Sequence, residues 1–326
     1  MALTVRQEEL AALDAEWREL LDRTAEPVPF LHPTWQRVWL EEFQAACEPL
    51  YLAVRDGDEL VGVAPLLRDG DRISFVGSHK ICDYMDFVVA PERAHDVFAA
   101  LVPAIAAETW SEIELRGLRD GSPTLAELPA LVEGAGLTFE REQEAVAPRI
   151  TLAATWDEYL ASLGKKHRHE LRRKLRRLDE EGELVLHAYT TLQDVDTHLP
   201  VLLQFMVESR TDKAEFMSEQ MGLFFHRAAQ ALAQEGLLRL YELELDNKPV
   251  ASVLCFDQGG QLFMYNSGYD PEYAPLSVGV ASKALCLQEA IECGKHCIDL
   301  LRGDESYKYH LGGEDQIIYR AVIRRA

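Results

Sequence analysis

Two distant stretches of this chain share one pattern, and that pattern constrains the fold more than any other feature. "LYLAVRDGDELVGVAPLL" begins at Leu50 and "LLRLYELELDNKPVASVLCFD" at Leu237. Each holds two apolar, strand-like runs around a tight polar turn, the pattern of a β-hairpin. Val61-Gly62 falls on Val250-Ala251, a shift of 189 residues. Each hairpin is preceded by helical stripes and followed by a third strand, "RISFVG" or "GQLFMYNSGYD", then by a helix and a further strand. The repeat predicts two tandem α/β domains of one ancestry, 1–150 and 151–326. A length of 326 residues suits two domains.

The expected elements follow from periodicity. Leu10, Leu13, Trp17, Leu20 and Leu21 form one helical stripe. Trp35, Val38, Trp39 and Phe43 form a second, opened by Pro33. "YMDFVVA" is expected to be a strand, as are residues near 137–142 and 147–152. Helices are expected over 91–107, 123–134, about 156–181, 192–210, 217–234 and 278–293, and "EDQIIYRAVIRR" as a final strand.

Hydrophobic residues make up 48% of the chain, enough for real cores. The N-terminus is charged where a signal peptide needs an apolar run. No stretch reaches the roughly 18 to 20 apolar residues that cross a bilayer. The expectation is a soluble, cytoplasmic protein. Its net charge of -22 repels nucleic acid and anionic membranes at long range. Six scattered cysteines in apolar contexts suit buried thiols better than a disulfide framework. "CGKHC", Cys293 to Cys297, is half a zinc pattern with no second half, so no metal is expected.

Against that charge stands "GKKHRHELRRKLRRLDEEGEL", Gly164 to Leu184. Lys165 to Arg177 holds eight Lys or Arg and one Glu, a local charge of +7 that leaves -29 for the remainder. Leu160, Leu163, Leu171, Leu175 and Leu178 form a stripe that must face a core, with His167 filling its gap. Arg172, Arg173, Arg176 and Arg177 lie off that stripe. They are either an ordinary solvated face or a phosphate site, since guanidinium groups grip phosphate oxygens in pairs.

Three further stretches gather chemistry. In "MYNSGYDPEYAPLSVGVASKALCLQEAI" a strand ends, a loop follows, and a helix starts near Ser277-Val278-Gly279. The first turn of a helix can hold an anion, and Ser277 is placed to cap it; a plain loop and cap is the other reading. "CIDLLRGDESYKYHLGG" ends a strand in Arg302, Asp304, Glu305, Tyr307, Lys308 and His310. Active sites sit at such strand ends in α/β folds, although Asp304 and Glu305 also suit a helix start. "GSHKICDYMDFVV" places Asp83 and Asp86 around Tyr84, either as turn and edge residues or facing a substrate cleft.

"PTWQRVWLEEF", "LVGVAPLL", "FVGSHKICDYMDF", "KKHRHELRRKLRRL", "YNSGYDPEYAPLSVGV" and "DLLRGDESYK" occur in this order. Together they resemble the acetyltransferases grouped with CelD and BcsL, within the GNAT superfamily of N-acetyltransferases. The resemblance spans nearly the whole chain. It implies two GNAT-like domains, each a mixed, mostly antiparallel sheet flanked by helices, an architecture shared with Fem-type aminoacyl transferases. GNAT domains hold an acyl-CoA pyrophosphate on a Q/R-x-x-G-x-G/A loop. The matching place here is Ser277, Val278, Gly279, Val280 and Ala281, with Leu276 where Gln or Arg would stand. The first half has no glycine in "VVAPERAHDVF", which implies that its CoA site is lost. Fem-type enzymes carry a lysine in a "YKxxFG"-like segment, thought to stabilise charge on the reacting carbonyl. Tyr307-Lys308-Tyr309-His310-Leu311-Gly312 is similar, and Asp83 is similar to an aspartate of their first domain.

The resemblance implies acyl transfer, acetyl above all, from a CoA thioester to an amine or hydroxyl of a small-molecule acceptor. The donor phosphates are expected on Ser277–Val280 with Arg172, Arg173 and Arg176. Glu305, Asp304 or Asp86 would accept the nucleophile's proton. Lys308 or Arg302 would steady the oxyanion, and Tyr307 would protonate the thiolate. Asp83, Tyr84 and Asp86 would face the acceptor. An acyl carrier protein is an alternative donor. Fem-type transfer from aminoacyl-tRNA is disfavoured by the charge, and a GNAT pair acting only as an adaptor is the non-enzymatic reading.

Overall fold

The computed structural model describes residues 3–43, 47–209 and 211–325. The chain forms two compact units, Met1–Val146 with Gln316–Ala326, and Ala147–Asp315. The first division falls four residues before the expected 150. The last strand returns to the first unit, where the expectation kept it in the second.

In the first unit β1 (Thr4–Gln7) is followed by α1 (Leu10–Arg23) and α2 (Pro33–Phe43). Then come β2 (Glu48–Asp56), β3 (Glu59–Asp69), β4 (Arg72–Phe75) and the short β5 (Val88–Val89). α3 (Ala94–Ala107), β6 (Glu112–Arg119), α4 (Pro123–Gly134) and β7 (Leu137–Thr151) complete it. The helical stripes bury Trp17, Trp35 and Phe98 almost completely, which is what makes these amphipathic segments helices in this context. Periodicity predicted two strands over 137–152; β7 is one.

In the second unit Thr155 and Glu158 form a reciprocal capping box at the start of α5 (Trp156–Ser162). α6 (Lys165–Asp179) follows. The single helix expected over 156–181 is therefore two. Leu163 and Gly164 take extended ψ angles of 142° and 143°, and Leu163 turns inward to pack over Gly312. β8 (Leu184–Tyr189), α7 (Leu192–Ser209), α8 (Thr211–Phe216) and α9 (Glu219–Gln234) come next. β9 (Leu238–Leu245), β10 (Lys248–Gln258), β11 (Gln261–Tyr269), α10 (Val278–Glu292), β12 (Cys297–Asp299) and α11 (Ser306–His310) finish the unit. β13 (Glu314–Arg325) closes the chain.

The strand order is β1–β2–β3–β4–β6–β13–β7 in the first unit and β7–β12–β11–β10–β9–β8 in the second. β7 contributes to both, changing unit after Val146. Each sheet is mostly antiparallel, with one parallel pair, β4 with β6 and β11 with β12. The 189-residue shift holds in the register. The hairpin pairs Asp56–Glu59 and Asp69–Arg72 correspond to Leu245–Lys248 and Gln258–Gln261. Asp246 and Asn247 both have positive φ, 51° and 62°, the twist that a tight two-residue hairpin requires.

No helix among the described residues is long and apolar enough to cross a membrane. All six cysteines are free thiols; Cys293 is exposed and Cys47 half-buried, contrary to the expectation of uniform burial.

Candidate functional site

The site grows from the place where β11 leaves β12. Their parallel pairing covers only Gln261–Phe263 against Cys297–Asp299. Between the pairs Cys255–Met264 and Leu254–Asn266, Tyr265 stands opposite no residue of β10. Such a bulge bends a strand and leaves the ladder locally unpaired. Beyond it β11 runs on to Tyr269 along β10, while the chain after β12 turns away into the loop 300–305. α10 follows β11, α11 follows the loop after β12, and Lys283 of α10 lies 5.0 Å from the Tyr307 ring of α11, so two of the stretches singled out in the sequence meet here.

At α10 a 3-10 turn over Pro271–Leu276, capped by Asp270, leads to Ser277. Ser277 is left-handed at φ 62°, and its side chain makes no capping hydrogen bond, contrary to the expected cap. Its carbonyl accepts from Val280 and Ala281 at 3.0 Å each. The amides of Val278 and Gly279 are the helix's open donors. A Cβ on Gly279 would lie 2.8 Å from the Tyr269 ring. That glycine is thus explained by packing against Tyr269, not by room for a ligand.

α6 runs beside α10. Leu178 packs with Val278 and Ala281, and Arg177 donates to the Pro275 carbonyl at 3.1 Å. At the other end of α6 the His167 ring lies 4.7 Å from that of His310 in α11. Burial, then His167, Lys174 and Lys166, hold the His310 pKa below its usual value. The helix therefore links the two stretches along its length. Arg172, Arg173 and Arg176 are exposed. Arg173 is bonded to Glu170 at 3.0 and 2.8 Å, and Arg176 lies 3.7 Å from Glu180. Exposed pairs of this kind hold a side chain only weakly, so both remain able to turn to an anion.

The loop after β12 is tightly held. Asp299 is fully buried; it accepts from the Leu301 amide at 2.8 Å and lies 3.6 Å from Arg149 Nε. Leu301 is left-handed at φ 57°, a costly shape for a branched side chain. The Lys308 ammonium donates to the carbonyls of Leu301, Arg302 and Gly303 at 2.8, 2.9 and 3.1 Å. It also lies 3.1 Å from Glu305 Oε2. Glu305 rests over Gly303, where a Cβ would come within 2.5 Å of that oxygen. Lys308, expected to meet an oxyanion, instead spends its donors on the loop. Asp304 is exposed at the rim, and Arg302 and Tyr307 are half-buried.

Lys283 was not among the residues singled out from sequence. It is buried in α10, donates to the Gly279 carbonyl at 2.8 Å, and lies 5.0 Å from the Tyr307 ring centre. The visible signal was a lone lysine in the small, apolar run "VGVASKALCL".

Asp83, Tyr84 and Asp86 belong to the first unit, on the segment between β4 and β5. Tyr84 is buried against Phe30, with Arg119 over its ring. Asp86 accepts from Ser122 and Thr124 hydroxyls at 2.5 Å each and from the Phe87 amide at 2.8 Å. Burial pushes its pKa up, and these bonds pull the other way. Both residues hold the start of α4 and the core in place of the expected acceptor-facing role. Asp83 is half-buried beside Gly117. The repeat register also shows what this segment does. β4 and β5 together match β11, and residues 76–87 stand where 265–267 stand in the second unit. Ile81, Cys82, Tyr84, Met85 and Phe87 are buried, and the Met85 amide donates to Gly117 of β6 at 3.1 Å. In the first unit the divergence of the parallel strands is filled by the chain itself.

Among the described residues no group of three His, Cys, Asp or Glu is placed to hold a metal ion. In the "CGKHC" stretch the Cys293 thiol bonds Glu289 at 3.1 Å and Cys297 is buried in β12.

The profile of the acetyltransferase (GNAT) domain family matches residues 165–309. No curated protein sequence matches the chain. Among solved structures, FemX aligns with a TM-score of 0.65 at 13% identity, covering 96% of each chain. The C-terminal domain of a protein assigned as lysylphosphatidylglycerol synthetase, from Agrobacterium fabrum, gives 0.61 at 11% identity, covering 96% of this chain and 92% of that one. A tandem GNAT protein of the clavulanic acid pathway gives 0.52 at 13%, covering 98% of each. At these identities the likeness is one of fold: two tandem α/β domains, as the repeat predicts, with the GNAT-like sheet that the resemblance implied.

Proposed function

We propose that the second unit transfers an acyl group, acetyl above all, from a thioester donor such as acetyl-CoA to an amine or hydroxyl of a small-molecule acceptor. The divergence of β11 from β12, with the open first turn of α10 beside it, carries this reading. The turn and the macrodipole of α10 favour anions. Ser277, Val278, Gly279 and Val280 would hold the donor's phosphates by backbone amides, with Arg172, Arg173 and Arg176 closing on them from α6. Tyr307 would give its proton to the departing thiolate, and Asp304 or Glu305 would take the nucleophile's proton. Lys308 keeps this loop in shape, and Arg302 borders it. The filled divergence supports a first unit without a donor site. Asp83 remains its candidate for the acceptor side. An acyl carrier protein would meet the same basic face of α6.

A second reading, aminoacyl transfer, draws support from the fold likeness to FemX and from the basic face of α6. Thermal unfolding with CoA, acetyl-CoA and a long-chain acyl-CoA tests the first. A ligand at 100 times its dissociation constant stabilises by about 2.7 kcal/mol. Arg172→Glu should weaken the shift, since it reverses a charge on the exposed face of α6. No shift with any thioester, alongside salt-sensitive tRNA binding, would transfer the assignment to the second reading.

A further inference from the structure

Lys283 joins the two halves of the candidate site. Its ammonium touches the first turn of α10 through the Gly279 carbonyl and lies under the Tyr307 ring of α11. The side chain is only 8% exposed. The Cys255 and Cys286 thiols beside it are fully buried; burial pushes their pKa up, and the Lys283 charge pulls the other way. Removing an ammonium from water is unfavourable, and a methionine would fill the same space without that cost.

We propose that Lys283 is a positioning residue for acyl transfer: it fixes Tyr307 at a set place relative to the donor's anchor on α10. This rests on the reading that a thioester donor occupies the second unit. The lysine's contacts to both elements are short, whereas Tyr307 and Gly279 belong to separate stretches of chain with no covalent reason to keep register. In the step it serves, the nucleophile's lone pair forms a bond to the carbonyl carbon and the carbon–sulfur bond breaks. The Tyr307 hydroxyl proton passes to the thiolate. The nucleophile's own proton leaves to a carboxylate or to water, and water reprotonates the phenolate. A cation 5.0 Å from the ring centre also favours the negative charge that the phenolate carries in that step.

The test is a double-mutant cycle on the full chain with Lys283→Met and Tyr307→Phe, Phe keeping the ring under which the ammonium sits. Donor binding is measured by calorimetry with acetyl-CoA, and turnover as free thiol released with a panel of primary amines and sugars. Lys283→Met should lower kcat roughly tenfold, part of the 10²–10⁴ that a positioned acid contributes. Its acetyl-CoA Kd should stay within twofold, and its Tm should be unchanged or higher. In the Tyr307→Phe background the same change should have no further effect, and Lys283→Arg should restore part of kcat. Equal losses in both backgrounds, or a lowered Tm that accounts for the loss, would make Lys283 structural and overturn the proposal. Unchanged kcat in Lys283→Met, with an active native protein, overturns it alone. A native protein that neither binds acetyl-CoA nor releases thiol overturns the donor reading and this proposal together.

Discussion

Replacing Lys308 by methionine separates a loop clamp from a catalytic head. The side chain is 2% exposed, and its ammonium serves three carbonyls and the Glu305 carboxylate. Removing one partner of a buried charged group costs about 3–5 kcal/mol. Glu305 is 39% exposed, so water takes over part of its share and the lower end applies. Freeing Leu301 from its left-handed shape returns about 1 kcal/mol. The net loss is therefore about 2 kcal/mol. At roughly 2–4 °C per kcal/mol for a unit of this size, the melting temperature should fall by about 4–8 °C. Differential scanning calorimetry of native and Lys308→Met protein reads this directly. Lys308→Arg should fall similarly, because the larger, rigid guanidinium fork does not fit the buried place of a compact ammonium. The assignment expected from the Fem-type resemblance makes the opposite forecast: normal melting and lost turnover. Lys308→Met melting within a degree of native would refute the clamp.

Three further outcomes follow from the geometry. A Cβ on Gly268 would lie 2.4 Å from the backbone of Phe205 and Met206; Gly268→Ala should therefore part α7 from β11 and lower the urea midpoint by the equivalent of about 2 kcal/mol or more. Glu242, buried and facing His198, has a pKa raised chiefly by burial, with His198 opposing. A raised carboxyl pKa contributes most below the unfolded value and loses that contribution as pH rises through the folded one. Glu242→Gln should thus be at least as stable as native where the carboxylate is ionised and lose that advantage as the pH falls into the ordinary carboxyl range, as followed by urea unfolding across pH. In the first unit Val102, Ile105, Leu128, Val132 and Ile323 line an apolar cavity; Val132→Ile should fill part of it and raise stability by about 0.5–1 kcal/mol, seen as a higher melting temperature.

The periodic parts of the chain were legible because each carries its own signal. α1, α2, α7 and α9 match their apolar stripes, and both hairpins end where turn residues end them. "YMDFVVA" misled because buried apolar residues look alike in a strand and in a filler segment. Only Val88–Val89 pairs as a strand, while Tyr84 packs on Phe30, Met85 bonds Gly117 of β6 and Asp86 bonds the start of α4. The break at Leu163-Gly164 was hidden by a leucine spacing that suits one helix or two. Lys308 and Glu305 were found as a cluster of charged residues, yet their partners are backbone carbonyls, which every residue has and no composition reveals.

The sequence alone determined that this chain builds the same α/β unit twice, since a shift of 189 residues in apolar pattern and turn chemistry is a local property of the chain. It also marked where chemistry gathers: the charges of α6 and the end of β12, and the loop that opens α10. Only the tertiary structure decided how those charges are used. A short parallel pairing lets β11 and β12 part in the second unit, while residues 76–87 fill the same place in the first. Lys308 turns to carbonyls, and Lys283, unremarkable in sequence, bridges α10 and Tyr307. The physical reason is that a side chain's partners are set by which distant segments the fold brings within 3 to 5 Å, and residue identity leaves that choice open.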